Sequence, residues 1–294
     1  MTFARDLVRN TLVRGLWLTL GRRNLVRFSR LLTMESRLDV GNDMATNGET
    51  MVQDRVLGGL GLADPPVIFD VGANVGRWTL SLVELATRKR VSGARVYAFE
   101  PASATFEKLR EQTRATEGVS PVRAALSNEN GEAELNVFGA GLGINSLHRP
   151  HESRWSGEQP QSTIEKVPLI TADTFCHNEK IKEIALLKID AEGHDFSVLE
   201  GARGLLEAHR IHVMQFEYNQ RWIDARHFLK DAFDLLQPYG YRIGKITPRG
   251  IELYPHWHFE LESFREGNYL ACLPAHVDLF PQIQWWNLSG PTHS

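Results

Sequence analysis

Three short, mainly apolar runs in this chain each stop on a carboxylate: residues 67–69 on Asp70, residues 95–99 on Glu100, and residues 184–189 on Asp190. Runs of that length, bounded by turn formers, suit strands buried on both faces of a parallel sheet. Segments of helical periodicity lie between and after them, over 77–87 (Trp78, Leu82 and Leu85 on one face), 102–116, 196–207 and 225–236. Further strands are expected over 119–126 and 211–216. Asn128-Glu129-Asn130-Gly131 signals a hairpin turn into 132–138. Residues 241–246 and 267–273 read as a final antiparallel pair. The alternation predicts an α/β fold, a mostly parallel sheet covered by helices with a β-rich C-terminal end. Residues 139–165 are rich in Gly, Ser, Pro and His without periodicity, a long loop of the kind that carries function on such scaffolds.

The chain of 294 residues is long enough for one large core with appendages. We expect an N-terminal helical extension over 1–60, a catalytic domain over 61–275 and a tail over 276–294. A net charge of −3 gives no global drive toward nucleic acid. Residues 1–40, however, carry eight arginines (5, 9, 14, 22, 23, 27, 30 and 37) against Asp6, Glu35 and Asp39. Phe3, Leu7, Leu12, Leu16 and Leu20 recur between them at roughly helical spacing, and a short helix is expected over 50–60. Residues 3–32 read as amphipathic, either a cap on the domain or a basic helix resting on anionic lipid at the inner face of the membrane. Only two cysteines occur, Cys176 and Cys272, which fits a reduced cytoplasmic setting. No apolar run reaches the ~18–20 residues of a spanning helix, and the run 16–20 is too short for a signal sequence. The sequon at Asn287 then carries no meaning.

The turn after the first strand reads Asp70-Val71-Gly72-Ala73-Asn74-Val75-Gly76. It departs from the G-x-G-x-x-G pattern that seats a pyrophosphate on a helix N-terminus. An acid beside the first glycine repels an anion and tolerates a sulfonium. Glu100 can accept two hydrogen bonds from a ribose diol. A cationic, phosphate-free nucleoside suggests S-adenosylmethionine. Each residue also has a plainer role, Asp70 as a helix cap and Glu100 as a solvated strand end. The third strand end, Asp190-Ala191-Glu192-Gly193-His194-Asp195, gathers more polar groups than helix capping needs.

In that order and spacing, "DVGANVG", "FEP" and "LLKIDAEGHD" resemble the FkbM family of S-adenosylmethionine-dependent methyltransferases, over roughly 67–273. Ala191 and Asp195 stand where that family usually has valine and glutamate. "LSNENGEAEL", "GINSLH" and the strand-end acid Glu217 are also similar. The resemblance implies a Rossmann-like class I methyltransferase fold, with a mostly parallel seven-stranded sheet and an antiparallel C-terminal strand. It implies methyl transfer to a hydroxyl, with acceptors among sugars, glycans, polyketides and related metabolites. Asp70, Gly72, Asn74 and Gly76 are then expected at the methionine part of the cofactor and Glu100 at its ribose, with Ser127 and Asn128 near the adenine. Asp190 and His194 are rival general bases, and Glu192 or Glu217 would orient the imidazole. The loop 143–148 would cover the acceptor through Asn145, Ser146 and His148. Asp190, Glu192, His194 and Glu217 offer hard ligands, but no spacing is diagnostic and a divalent metal is not expected. His256-Trp257-His258 lacks a third ligand, and Trp285 and Trp286 read as anchors for the tail. A sugar acceptor is preferred to a polyketide because the basic N-terminal segment suits an anionic or lipid-linked saccharide. Two other classes stay open: an NAD-dependent dehydrogenase, disfavoured by Asp70 and the missing third glycine, and a silent cofactor-binding scaffold.

Overall fold

The computed structural model of the chain describes residues 2–39, 41, 43–61, 64–148 and 161–287, the first eight of these by backbone alone. Residues 149–160 of the long loop, and the Leu-Ser of the sequon at 287–289 apart from its Asn287, lie outside the described residues. Two compact units divide the chain, Met1–Gly41 and Asn42–Ser294. The first is helix α1 (Thr2–Ser36), interrupted at Gly21, whose φ of 71° and ψ of 156° are not helical. Glycine takes such angles without a steric penalty, so the amphipathic stretch forms two helical segments.

The second unit opens with α2 (Glu49–Gly59) and then alternates: β1 (Val67–Val71), α3 (Arg77–Arg88), β2 (Arg95–Phe99), α4 (Ser103–Thr113) and β3 (Val119–Val122). After a small insertion come β7 (Ile184–Ile189), α6 (Asp195–Glu200), α7 (Arg203–Glu207), β8 (Ile211–Tyr218), α8 (Arg221–Ala225) and α9 (Leu229–Leu236). The C-terminal end adds β9 (Arg242–Thr247), β10 (Gly250–Tyr254), β11 (Gly267–Cys272) and β12 (Gln282–Ile283). The strands lie in the order β3-β2-β1-β7-β8-β11-β9-β10-β12. The first five run parallel, and β11 inserts antiparallel between β8 and β9. This is the class I methyltransferase order of seven strands, lengthened here at one edge by β10 and β12. Every residue of β1 and β7 is buried, as strands covered on both faces must be. Phe69, Tyr97, Phe99 and Phe175 pack edge-on or tilted below the strand ends, with centroids 4.9 to 5.6 Å apart. That is the arrangement their quadrupoles favour.

The insertion departs from expectation. The predicted strand over 119–126 is two strands in two sheets, because the chain leaves the main sheet at Arg123 and resumes as β4 (Ala125–Leu126). The Asn-Gly turn does not close a hairpin. β6 (Thr163–Ile170), unpredicted, slides between β4 and β5 (Gly131–Val137), giving the order β4-β6-β5. A two-residue β4 offers β5 too little to pair with, whereas β6 matches all seven of its residues. Asn130 spends its side chain elsewhere, accepting from Thr171 N at 3.0 Å and donating to Thr174 Oγ1 at 3.0 Å, so it anchors the start of α5 (Ala172–Asn178). The helix expected over 196–207 breaks between α6 and α7 at Gly201, where a Cβ would overlap the Ser127 carbonyl oxygen. The one over 225–236 begins only at Leu229. Trp285 is buried against Tyr254 and His258, while Trp286 is half exposed.

Candidate active site

The carboxyl ends of β1, β2, β3 and β7 open onto a cavity of about 520 Å³, within the ~300–1,000 Å³ of small-molecule sites. Gly72 makes the floor possible. Its φ is +75°, and a Cβ would overlap the Asp190 carbonyl oxygen, so the turns after β1 and β7 can meet only over a glycine. Gly72 and Ala73 donate to Phe99 O at 3.0 and 2.9 Å, and Asp190 N donates to Val71 O at 3.0 Å. Three turns are thereby locked together.

Glu100 accepts from Asn74 N at 3.1 Å through one oxygen and from Ala102 N at 3.0 Å through the other. Each oxygen keeps a lone pair for a ligand hydroxyl. Burial raises its carboxyl to about 7, against the lowering effect of those two backbone bonds. Beside it, Phe99, Pro101, Ala124, Ala125 and Leu126 line an apolar wall suited to a flat base. Asn74, at φ +50°, buries an Oδ1 with no partner among the described residues. The cavity thus holds a carboxylate able to accept from a diol, an unmatched amide and an apolar slot, and these residues fit a nucleoside cofactor.

Beneath the floor lies a buried cation that the sequence reading passed over. Lys188 Nζ stands 3.2 Å from Asp70 Oδ1 and 3.4 Å from Asp190 Oδ2, and 5.8 Å from the Trp78 ring. Burial alone would push the ammonium down, yet Asp70, Asp190 and Glu49 together hold it well above its ordinary value. A lysine in the middle of an otherwise apolar strand was the available signal, since lysine is rarely buried unpaired. Glu49 had no local signal. It is brought in from the start of α2 and fixed by amide donors from Asn47 (2.7 Å), Gln215 (2.7 Å) and Asn268 (3.2 Å).

At the far wall Glu192, at φ +56°, pairs with Arg221, which also stands 3.8 Å from Glu217. Asp195 accepts from Ala191 N at 3.3 Å and Gly193 N at 3.1 Å, bracing the turn, and its burial raises it to about 7. His194 has both ring nitrogens engaged, Nε2 with Ser127 Oγ at 2.9 Å and Nδ1 with His148 Nε2 at 3.1 Å. Burial first, then His148 and His227, push its imidazole down to about 3, so it is neutral at physiological pH.

The profile of the methyltransferase FkbM domain matches residues 70–243, more than half of the chain. The chain belongs to the FkbM methyltransferase family. It is 26% identical over 167 residues to the hexuronic acid methyltransferase AglP of Haloferax volcanii, covering 56% of this chain and 62% of that one. To Methyltransferase 1 of Beauveria bassiana it is 24% identical over 155 residues, 47% of this chain and 59% of the relative. It therefore spans about six tenths of the length of these relatives. Among solved structures, fibrillarin of Aeropyrum pernix aligns with a TM-score of 0.38 and 14% identity over 75% of this chain and 73% of the other, too loose a likeness to argue from.

Within this FkbM protein, the predicted residues Gly72, Asn74, Glu100, Asp190, Glu192, His194 and Asn145 all line the cavity. Asp70, Gly76, Ser127, Asn128, Ser146, His148 and Glu217 do not. Asp70 is fully buried and accepts from Thr79 Oγ1 at 2.6 Å, so its charge is spent on Thr79 and Lys188 rather than presented to a ligand. Gly76 seats the turn on Leu109 of α4. Ser127 faces His194, and Asn128 reaches toward Glu200 at 3.4 Å. Glu217 lies behind the wall, where Asn219 Nδ2 donates to it at 2.6 Å; burial, with Asp190 and Asp195, raises it well above the carboxylate range. Ser146 pins the loop by donating to Glu192 O at 2.8 Å. Among the described residues no group of three His, Cys, Asp or Glu side chains is arranged for a metal ion. His258 and Trp257 are used locally, by Glu260 N and Glu262.

Proposed function

We propose that this FkbM protein is an S-adenosylmethionine-dependent O-methyltransferase acting on a hydroxyl of a sugar or glycan. The observation that carries the reading is the convergence of Gly72, Asn74, Glu100 and Asp190 on one cavity, within a matched methyltransferase domain. The name of the Haloferax relative supports a saccharide over a polyketide. Bound there, S-adenosylmethionine would supply a methyl group activated on sulfonium. Glu100 would accept from the ribose hydroxyls, Gly72 and Asn74 would hold the amino-acid portion, and Ala124–Leu126 would face the adenine. Asp70 and Lys188 act from beneath, keeping Asp190 in place.

Asp190 is the better base of the two rivals. It ends its strand at the cavity, whereas both ring nitrogens of His194 are occupied, by Ser127 and His148. In this reading Asp190 would take the proton of the acceptor hydroxyl, and His194, Ser127 and His148 would shape the wall.

Cys176 and Cys272 are buried free thiols, each raised to about 12 by burial, which suits a reduced compartment. No described helix is long and apolar enough to cross a membrane. The spacing of Leu12, Val13, Leu16, Trp17 and Leu20, among arginines, supports α1 lying on an anionic membrane face. Calorimetric titration with S-adenosylmethionine and with NAD tests the assignment. Saturable binding of the first alone is expected, and binding of NAD alone would overturn it.

A further inference from the structure

The cavity is lined by five carboxylates, Asp43, Glu49, Glu100, Asp190 and Glu192, and three residues able to carry positive charge, Arg77, Lys188 and His194. Lys188 is tied to Asp70 and Asp190, and His194 is neutral. The Arg77 side chain is exposed to solvent and makes no hydrogen bond or ion pair with any described residue. It opens the twelve-residue helix α3, at the end where the helix dipole is already positive. Nothing there offsets it: Gly76 supplies no side-chain cap, and the first turn contains no acid. Next to it Trp78, 6% exposed and lining the same cavity, carries an indole N–H with no partner among the described residues. A buried donor is rarely left unmatched without a reason. An arginine, a positive helix end and an unmatched indole N–H are three features that favour an acceptor, and no described residue provides one.

We propose that Arg77 and Trp78, at the uncapped start of α3, form a carboxylate-binding subsite of the cavity. A singly charged carboxylate fits better than a phosphate dianion, because the surrounding acids repel the second charge. The proposal rests on the methyltransferase reading, which admits two sources for the carboxylate: the amino-acid end of the cofactor, or an acidic sugar acceptor. Guanidinium and helix end meet either one equally well.

The test uses the full chain, with Arg77→Ala and with Trp78→Phe, which removes the indole N–H. Titrations would be run with S-adenosylhomocysteine, which has the carboxylate, and with 5′-methylthioadenosine, which lacks it. They would be followed by glucuronate and glucose on protein saturated with S-adenosylhomocysteine. If the carboxylate is the cofactor's, Arg77→Ala weakens S-adenosylhomocysteine about tenfold and Trp78→Phe roughly threefold, the range of one charge-assisted and one neutral hydrogen bond, with 5′-methylthioadenosine unchanged. If it is the acceptor's, both nucleosides bind as before and the preference for glucuronate over glucose disappears. Equal binding of all four ligands by wild type and both variants overturns the subsite while leaving the methyltransferase reading intact. Wild-type protein that binds neither nucleoside removes both.

Discussion

Glu100 is buried enough to hold its proton to about pH 7, yet the proposed role needs it ionised. A protonated carboxyl cannot accept from both ribose hydroxyls. Affinity for S-adenosylmethionine should be full above pH 7 and fall as pH drops through it, by up to about tenfold per unit. Titrations from pH 5.5 to 8.5 measure this, and Glu100→Gln should bind weakly with a flat profile. The sign for stability is opposite. The folded chain holds this proton more tightly than the unfolded one, whose pKa is ~4.3, so its contribution improves as pH falls from 7 toward 4. Two further substitutions separate the bases. Asp190→Asn should keep cofactor affinity and lose roughly 10²- to 10⁴-fold in kcat, while His194→Gln loses less than about tenfold; the reverse ranking in a methyl-transfer assay would return the role to the imidazole. Gly72→Ala should cost roughly 3 kcal/mol or more in urea denaturation, because strain at positive φ adds to the overlap with Asp190. Gly240→Ala, at φ +85° in open space, should cost only about 1 kcal/mol.

Elements here are often finished by residues from other elements. Asp173 in α5 accepts from Gly204 N at 2.8 Å and Leu205 N at 2.9 Å, so it caps α7 from across the fold. Asp173→Ala should lower stability by about 2 kcal/mol, twice a typical single-bond cap, read as a shift in the urea midpoint at unchanged m. The same dependence explains which elements were legible. Ile184–Ile189 and Arg95–Phe99 are found where expected because an apolar run flanked by turns has few other ways to be buried. The Asn-Gly hairpin failed because Asn130 bonds to Thr171 and Thr174, and because β6, with only Val167 fully buried and Pro168 inside it, shows no regular alternation of a half-buried strand. Likewise, the helix over 196–207 had to break where Gly201 meets Ser127 O, which no local pattern encodes.

At the scale of the molecule, the core clusters and the cavity are both built from residues of the unit Asn42–Ser294. A chain lacking residues 1–41 should therefore melt within about 2 °C of the full chain and bind S-adenosylmethionine equally, yet lose co-sedimentation with anionic vesicles. Retained co-sedimentation would remove the membrane role of α1. The three strands that end on Asp70, Glu100 and Asp190, and the glycine after the first of them, were readable in one dimension. Each is local: an apolar run, a turn and the residue that follows it. The fate of the charges was not readable. Asp70 reads as a ligand-facing acid until Lys188, 118 positions later, comes within 3.2 Å and takes its charge. His194 reads as a base, yet burial beside His148 and His227 lowers its imidazole to about 3. Which side of a wall a polar group faces depends on what is packed behind it, and that is decided only when distant segments meet.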